Sequence, residues 1–231
     1  MFKSSVKAVV LSFCVATMTA GASATADQTP KATDLLFETK HIVMIAPGTV
    51  LKYNYERTPT NEQYFGKAVK DEIKVTIEKD SAAAGKKDVV VNMFTGDNAR
   101  DPNKITEMDG NPMLIVFLDT ALGRFNQIVG GDRAYLKHKF SQSFLSDAKV
   151  EPVKVTYKGE DVDGYRVSVI PYANDASRAK MKGFETSLFT ITISEKVPGQ
   201  FAQMTSNYVN TDKTFPTLTE TMTLDGVGGV K

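Results

Sequence analysis

Apolar and polar residues alternate with a period of two over much of the chain, which is the pattern of half-buried β-strands. The alternation covers residues 73–77, 153–157, 165–169, 189–193 and 218–224. Further strand candidates are residues 41–45, 50–57, 89–94 and 200–209. Turn-forming pairs such as Pro47-Gly48 and Asp163-Gly164 separate these segments, and such short connections predict mostly antiparallel pairing.

Residues 111–149 interrupt the alternation with a helical pattern. Asn111-Pro112 is a good helix start, Gly130-Gly131 ends the first helix, and Asp132 can cap a second one that runs to about Ala148. Apolar residues recur at helical spacing in both segments: Leu114, Phe117, Leu118, Ala121 and Phe125, then Leu136, Phe140, Phe144 and Ala148. The sequence therefore predicts an α+β fold, a curved, mostly antiparallel sheet (open or a half barrel) packed on a central helical hairpin. A shorter helix is predicted over residues 175–182.

The first 26 residues have the properties of a cleaved signal peptide. Lys3 and Lys7 precede a mainly apolar segment over residues 8–20, and Ala24-Thr25-Ala26 supplies small residues for cleavage after about Ala26. We expect a single β-rich domain over residues 27–225 and a flexible, glycine-rich tail at 226–231. The expected location is the periplasm, because no later segment reaches the roughly 18 apolar residues of a membrane-spanning helix.

Cys14 is the only cysteine of the chain and lies inside this leader. A lipoprotein signal requires a small residue immediately before the modified cysteine, and Phe13 occupies that position. We therefore disfavour a lipid anchor and expect a cysteine-free mature chain.

The sequence lacks the patterns of the common enzyme classes. It has only two histidines, His41 and His138, and no G-x-S-x-G, phosphate-binding or dinucleotide-binding motif. Without cysteines, two separated histidines make a poor metal site, so we expect no metal and no cofactor. The 28 basic and 27 acidic residues also give no basic bias towards nucleic acid. These observations favour a non-enzymatic protein.

Glu220 shares a predicted strand face with Leu218 and Met222. A carboxylate among apolar residues can have a raised pKa or pair with a buried base, either of which marks a site. The alternative, which we favour from sequence, is a strand end whose face is only partly covered.

The helical hairpin supplies the candidate ligand site. Its phenylalanines Phe117, Phe125, Phe140 and Phe144 suit an adaptable apolar cavity, although core packing is the interpretation that we favour for them. Arg133, Lys137 and Lys139 would then lie where an anionic head group could reach them, or where the protein meets an anionic membrane surface. Other basic residues of the helical segments are Arg124, Lys149, Arg178, Lys180 and Lys182. A solvated helix face is the alternative.

Two resemblances accompany these patterns. Gly110-Asn111-Pro112, followed by Phe117-Leu118-Asp119, and Val197-Pro198-Gly199 resemble segments of small secreted proteobacterial proteins, which implies export and no particular activity. The order of elements over about residues 40–225 resembles lipoprotein carriers of the LolA/LppX type. That resemblance implies an unclosed sheet curled around helices, with an apolar gap that holds acyl chains.

Two functions remain open from sequence. One is an exported binding protein for an apolar or lipid-like ligand, held in a cavity between sheet and helices. The other is a cell-envelope interaction or assembly factor with a solid core and no small-molecule ligand. The oligomeric state is not set by the sequence.

Overall fold

The computed structural model describes residues 29–231. The predicted signal peptide, with Cys14 and the cleavage site at Ala26, lies outside the described residues. The predicted fold class is confirmed: the described chain is an α+β fold with one curved, unclosed antiparallel sheet and a helical hairpin.

The sheet has ten strands, and every neighbouring pair is antiparallel. The strands are β1 (Val50–Pro59), β2 (Val69–Asp80), β3 (Lys87–Met93), β4 (Asn103–Met108), β5 (Lys149–Tyr157), β6 (Glu160–Val169), β7 (Leu188–Ile193), β8 (Phe201–Tyr208), β9 (Leu218–Leu224) and β10 (Val227–Val230). Their spatial order is β10-β5-β6-β7-β8-β9-β1-β2-β3-β4. Two meanders, β1 to β4 and β5 to β9, therefore meet where β9 pairs with β1.

The helical hairpin carries the chain from one end of the sheet to the other. It consists of α2 (Met113–Val129) and α3 (Arg133–Ser146), and it follows the short helix α1 (Glu62–Phe65) in the chain. It leaves edge strand β4 and enters β5, which lies next to the opposite edge strand β10. Gly130 ends α2 with a positive φ of 77°, and the Asp132 carboxylate accepts a hydrogen bond from the Ala134 N–H at 2.8 Å. The predicted helical insertion is thus confirmed to within a few residues.

The core lies between the hairpin and one face of the sheet. In β9 every second residue is buried, from Leu218 to Leu224, as the alternation predicts. The Tyr208 hydroxyl donates to the Ala121 carbonyl at 3.1 Å, and the Tyr172 hydroxyl donates to the Leu136 carbonyl at 3.0 Å. These two bonds hold α2 to β8 and α3 to the loop that follows β6.

Two local expectations differ from the structure. Residues 41–45 form turns instead of a strand, with the Ile42 N–H bonded to the Asp109 carbonyl. The helix expected over 175–182 is a single 3-10 turn, Arg178–Met181. Asp34–Glu38 form a short π-helix that the sequence analysis does not predict.

The glycine-rich segment 226–231 was expected from its composition to be a flexible tail, but its residues Val227–Val230 form edge strand β10 on β5. Lys154 and Lys231 exchange two backbone hydrogen bonds, at 2.8 and 3.2 Å, beyond the end of this strand. The prediction from glycine content was wrong because the hydrogen bonds between strands join backbone groups and do not require large side chains.

Candidate functional site

The four candidate phenylalanines lie inside the packed core. Phe117, Phe125, Phe140 and Phe144 are each 2% exposed or less. The Phe140 ring lies 4.8 Å from that of Phe189 on β7 and 5.5 Å from that of Phe144. Phe125 stacks on Tyr172 at 4.3 Å. The rings therefore contact one another and the sheet, which is the core-packing arrangement that the sequence left open.

The three candidate basic residues do not converge. Arg133 is half exposed and pairs with Asp119 on α2 at 2.7 Å. Lys137 is exposed on α3. Lys139, two residues further along, turns towards Asp175, and its Nζ lies 3.8 Å from the Asp175 Oδ2. Only Lys139 of the three lines the cleft described next.

A surface cleft of about 550 Å³ lies between α3 and the β5/β6 end of the sheet, and we call it the α3 cleft. Its apolar lining residues are Val169, Ile170, Pro171, Ala173 and Leu188. Its charged lining residues are Lys139, Asp147, Lys149, Glu151 and Asp175. Its remaining lining residues are Gln142, Ser143, Ser168 and Asn174. The volume falls within the roughly 300 to 1,000 Å³ typical of small-molecule sites.

Asp175 is the most constrained polar group of the α3 cleft. Its side chain is 1% exposed. Oδ1 accepts hydrogen bonds from the Tyr135 hydroxyl at 2.6 Å and from the Ser177 N–H at 2.7 Å, whereas Oδ2 accepts none within residues 29–231. Burial raises the pKa of Asp175, but these two hydrogen bonds and the charge of Lys139 outweigh it and hold the pKa below its usual value. The group is therefore a buried carboxylate with one unused acceptor.

Glu220 forms a second polar cluster, and here the favoured sequence interpretation was wrong. The residue is 3% exposed and has a basic partner, since Arg124 Nε and Nη2 both lie 3.2 Å from its Oε1. The hydroxyls of Tyr55 and Tyr208 lie 2.8 and 3.3 Å from its two oxygens. Burial and the charge of Glu220 raise the pKa of both tyrosines, which stay protonated. The cluster joins α2 to β1, β8 and β9.

A third cluster brings together the two segments that carry the resemblance to secreted proteins. Asn111 donates from Nδ2 to the Gly199 carbonyl at 2.8 Å, and its Oδ1 accepts from the Met113 N–H at 3.0 Å. Its backbone N–H donates to His41 Nδ1 at 3.3 Å, while His41 Nε2 donates to the Leu35 carbonyl at 2.8 Å. His41 is thus a neutral imidazole, and burial lowers its pKa against the opposing effects of the Leu35 carbonyl and Asp109.

Within residues 29–231, no group of three or more His, Cys, Asp or Glu side chains is arranged to hold a metal ion. In the same residues, no helix has the length and apolar character needed to cross a membrane.

Comparisons with known proteins identify no family. No protein-family model matches the chain, and no curated protein matches it. The chain is similar to the crystal structure of the Mycobacterium tuberculosis lipoprotein LppX, with 12% sequence identity over 78% of this chain and 86% of that one. The TM-score of this superposition is 0.32.

Proposed function

We propose that the protein is an exported, non-enzymatic binding protein that holds a small lipid-like ligand in the α3 cleft, between the sheet and the helical hairpin. This site differs from the interior cavity lined by phenylalanines that the sequence analysis considers for the ligand. In the proposal, the four phenylalanines build the core on which the cleft rests.

The observation that carries the proposal is the combination of an apolar wall and buried polar chemistry in one cleft. Ile170 is 46% exposed although it is a large aliphatic residue, and it lines the cleft with Leu188 and Pro171. Lys139 and Asp175 lie in the same cleft. Convergent polar groups beside an apolar surface are typical of sites for amphipathic molecules.

Export is supported by the leader alone. Lys3, Lys7 and the Ala24-Thr25-Ala26 segment are the residues on which it depends, and the proposed location is the periplasm. Sequencing the N-terminus of the mature protein tests this part, and we expect it to begin at Asp27. A mature chain that begins at Cys14 and carries acyl groups would contradict it.

Titration of the ligand-stripped protein with a fluorescent fatty acid tests the binding itself. We expect saturable binding that Ile170→Asn weakens about fivefold or more, because the substitution removes apolar contact area. Ile115→Asn is the matched control, since Ile115 is 53% exposed on α2 and does not line the cleft. Equal effects of the two substitutions would place the ligand elsewhere, and no saturable binding would overturn the proposal.

The second candidate is a cell-envelope interaction or assembly factor without a small-molecule ligand. The packed aromatic interior favours this candidate, because an interaction or assembly factor needs a rigid scaffold and no internal cavity. The same titration separates the two, since this candidate predicts no saturable binding of the fatty acid.

A further inference from the structure

The α3 cleft contains one ion pair whose two members are too far apart to hydrogen-bond. Lys139 Nζ lies 3.8 Å from Asp175 Oδ2, beyond the usual limit of a charge-assisted bond. The Lys139 side chain is 35% exposed, whereas that of Asp175 is 1% exposed. A buried carboxylate oxygen without a donor is costly, and a ligand N–H that reaches it removes that cost.

The other charges of the cleft restrict what the ligand can be. Three carboxylates and two ammonium groups line it, which leaves one net negative charge. Lys149 is already paired with Glu151 at 2.7 Å. A purely anionic ligand such as a fatty acid pairs with Lys139 but leaves Asp175 Oδ2 without a donor, and a purely cationic one would compete with Lys139 for Asp175.

We propose, on the basis of the proposed function, that the ligand carries a zwitterionic head group whose primary ammonium binds Asp175 and whose phosphate or carboxylate binds Lys139. The gap of 3.8 Å is too short to hold such a group, so the partly exposed Lys139 side chain turns away from Asp175 when the ligand binds. The head group then gives each of the two side chains a hydrogen-bonded partner. The ammonium is primary because Asp175 Oδ2 requires an N–H donor, which a quaternary ammonium lacks. A hydrocarbon chain attached to the head group covers Ile170 and Leu188.

Calorimetric titration with short-chain lipids tests this assignment. Dihexanoyl-phosphatidylethanolamine and dihexanoyl-phosphatidylcholine are used below their micelle-forming concentrations. They share the chains and the phosphate, and they differ in the ammonium, which has three N–H donors in the first and three methyl groups in the second. O-phosphoethanolamine, which has the head group alone, distinguishes a lipid from a free zwitterion. We expect the ethanolamine lipid to bind at least about tenfold more tightly than the choline lipid, the factor of one good hydrogen bond to a charged group.

Three substitutions test which residues cause the preference for the ethanolamine lipid. Asp175→Asn keeps an oxygen for Tyr135 and Ser177 but replaces the free acceptor, so the two lipids should then bind within about twofold of each other. Asp119→Asn makes the same charge change in an exposed ion pair on α2 and should keep the tenfold ratio. Lys139→Met should weaken both lipids together, because both carry the phosphate.

The outcomes separate this inference from the function on which it rests. If the fluorescent fatty acid binds but the two lipids bind equally, the zwitterionic assignment is overturned and the binding function stands. If O-phosphoethanolamine binds as tightly as the ethanolamine lipid, the head-group chemistry is supported and the lipid-like ligand is overturned. If nothing binds, both are overturned.

Discussion

Asn111 donates from its side-chain Nδ2 to the backbone carbonyl of Gly199 at 2.8 Å, 88 residues further along the chain. The bond joins the start of α2 to the turn that precedes β8. Gly199 has a φ of 69°, and a Cβ at this position would lie 2.7 Å from Asn111 Nδ2 and 2.7 Å from a methyl carbon of Leu51. The turn therefore requires glycine for its backbone conformation and for the close approach of Asn111.

Gly199→Ala should therefore lower the free energy of unfolding more than Gly48→Ala does. The left-handed backbone costs about 1 to 2 kcal/mol, and the steric conflict adds about 1 to 3 kcal/mol. Gly48→Ala is the control, because Gly48 has a φ of 84° but nothing within 4 Å of its Cβ position. Urea denaturation of the two variants measures the difference, and equal losses of stability would mean that the Asn111 contact is not tight.

Phe140→Ala should cost about 3 to 5 kcal/mol of unfolding free energy, the usual loss when a packed aromatic site is emptied. Phe140 is 2% exposed and contacts the rings of Phe144 and Phe189. Leu145→Ala on the same helix should have little effect, because Leu145 is 61% exposed. A loss below about 1 kcal/mol for Phe140→Ala would show that this residue faces an open cavity instead.

Removing Arg124 should leave a buried carboxylate without its cationic partner. Arg124→Met should cost about 3 kcal/mol, in the range measured when one member of a buried pair is lost. The double variant Arg124→Met/Glu220→Gln should be more stable than Arg124→Met alone, since a neutral amide needs no counter-charge. Thermal or urea unfolding of both variants measures this, and equal stabilities would show that the Glu220 charge is satisfied by Tyr55 and Tyr208.

Acidification should weaken the attachment of residues 29–49 to the rest of the fold. The pKa of His41 is lowered from its usual 6.5, so below about pH 6.5 the unfolded chain binds more protons than the folded one. The free energy of unfolding should therefore fall as the pH drops from about 7 to 5, by at most about 1.4 kcal/mol per pH unit. Carboxylates whose pKa is lowered, such as Asp175, lose their stabilising effect only below about pH 4.

Unfolding measured as a function of pH tests this assignment. His41→Gln should make the stability nearly constant between about pH 7 and 5, because it removes the titrating group. His138→Gln, at an exposed position on α3, should retain the pH dependence of the unmodified protein. If the pH dependence disappeared in His138→Gln and remained in His41→Gln, the assignment to His41 would be wrong.

Local patterns in the sequence predict the elements of the fold well. The alternation in β9 and the signals at Asn111-Pro112 and Asp132 depend on neighbouring residues, and the structure confirms them. Strand β10 could not be predicted in this way, because its stability comes from backbone bonds to β5. Strand β4, whose residues are mostly exposed, has no apolar periodicity to reveal it.

The candidate site depends on contacts between distant residues, which one sequence does not reveal. Glu220 looked unpartnered because Tyr55 is 165 residues away in the chain and Arg124 is 96 residues away. Lys137 and Lys139 are equivalent in the sequence pattern. In the structure only Lys139 lies in the cleft, near Asp175, whose loop position could not be predicted. The segments around Asn111 and Gly199 could be identified in the sequence, but the contact between them could not be predicted.

Photo-crosslinking with a fatty acid that carries a diazirine on its chain, followed by mass spectrometry of the peptides, tests the central claim most directly. We expect crosslinks to the segment 168–175 and to Leu188, which line the α3 cleft, and weaker labelling of these residues in Ile170→Asn. Crosslinks to Phe125 or Phe189 would place the ligand in the interior between hairpin and sheet. That result, or the absence of any saturable crosslink, would contradict ligand binding in the α3 cleft.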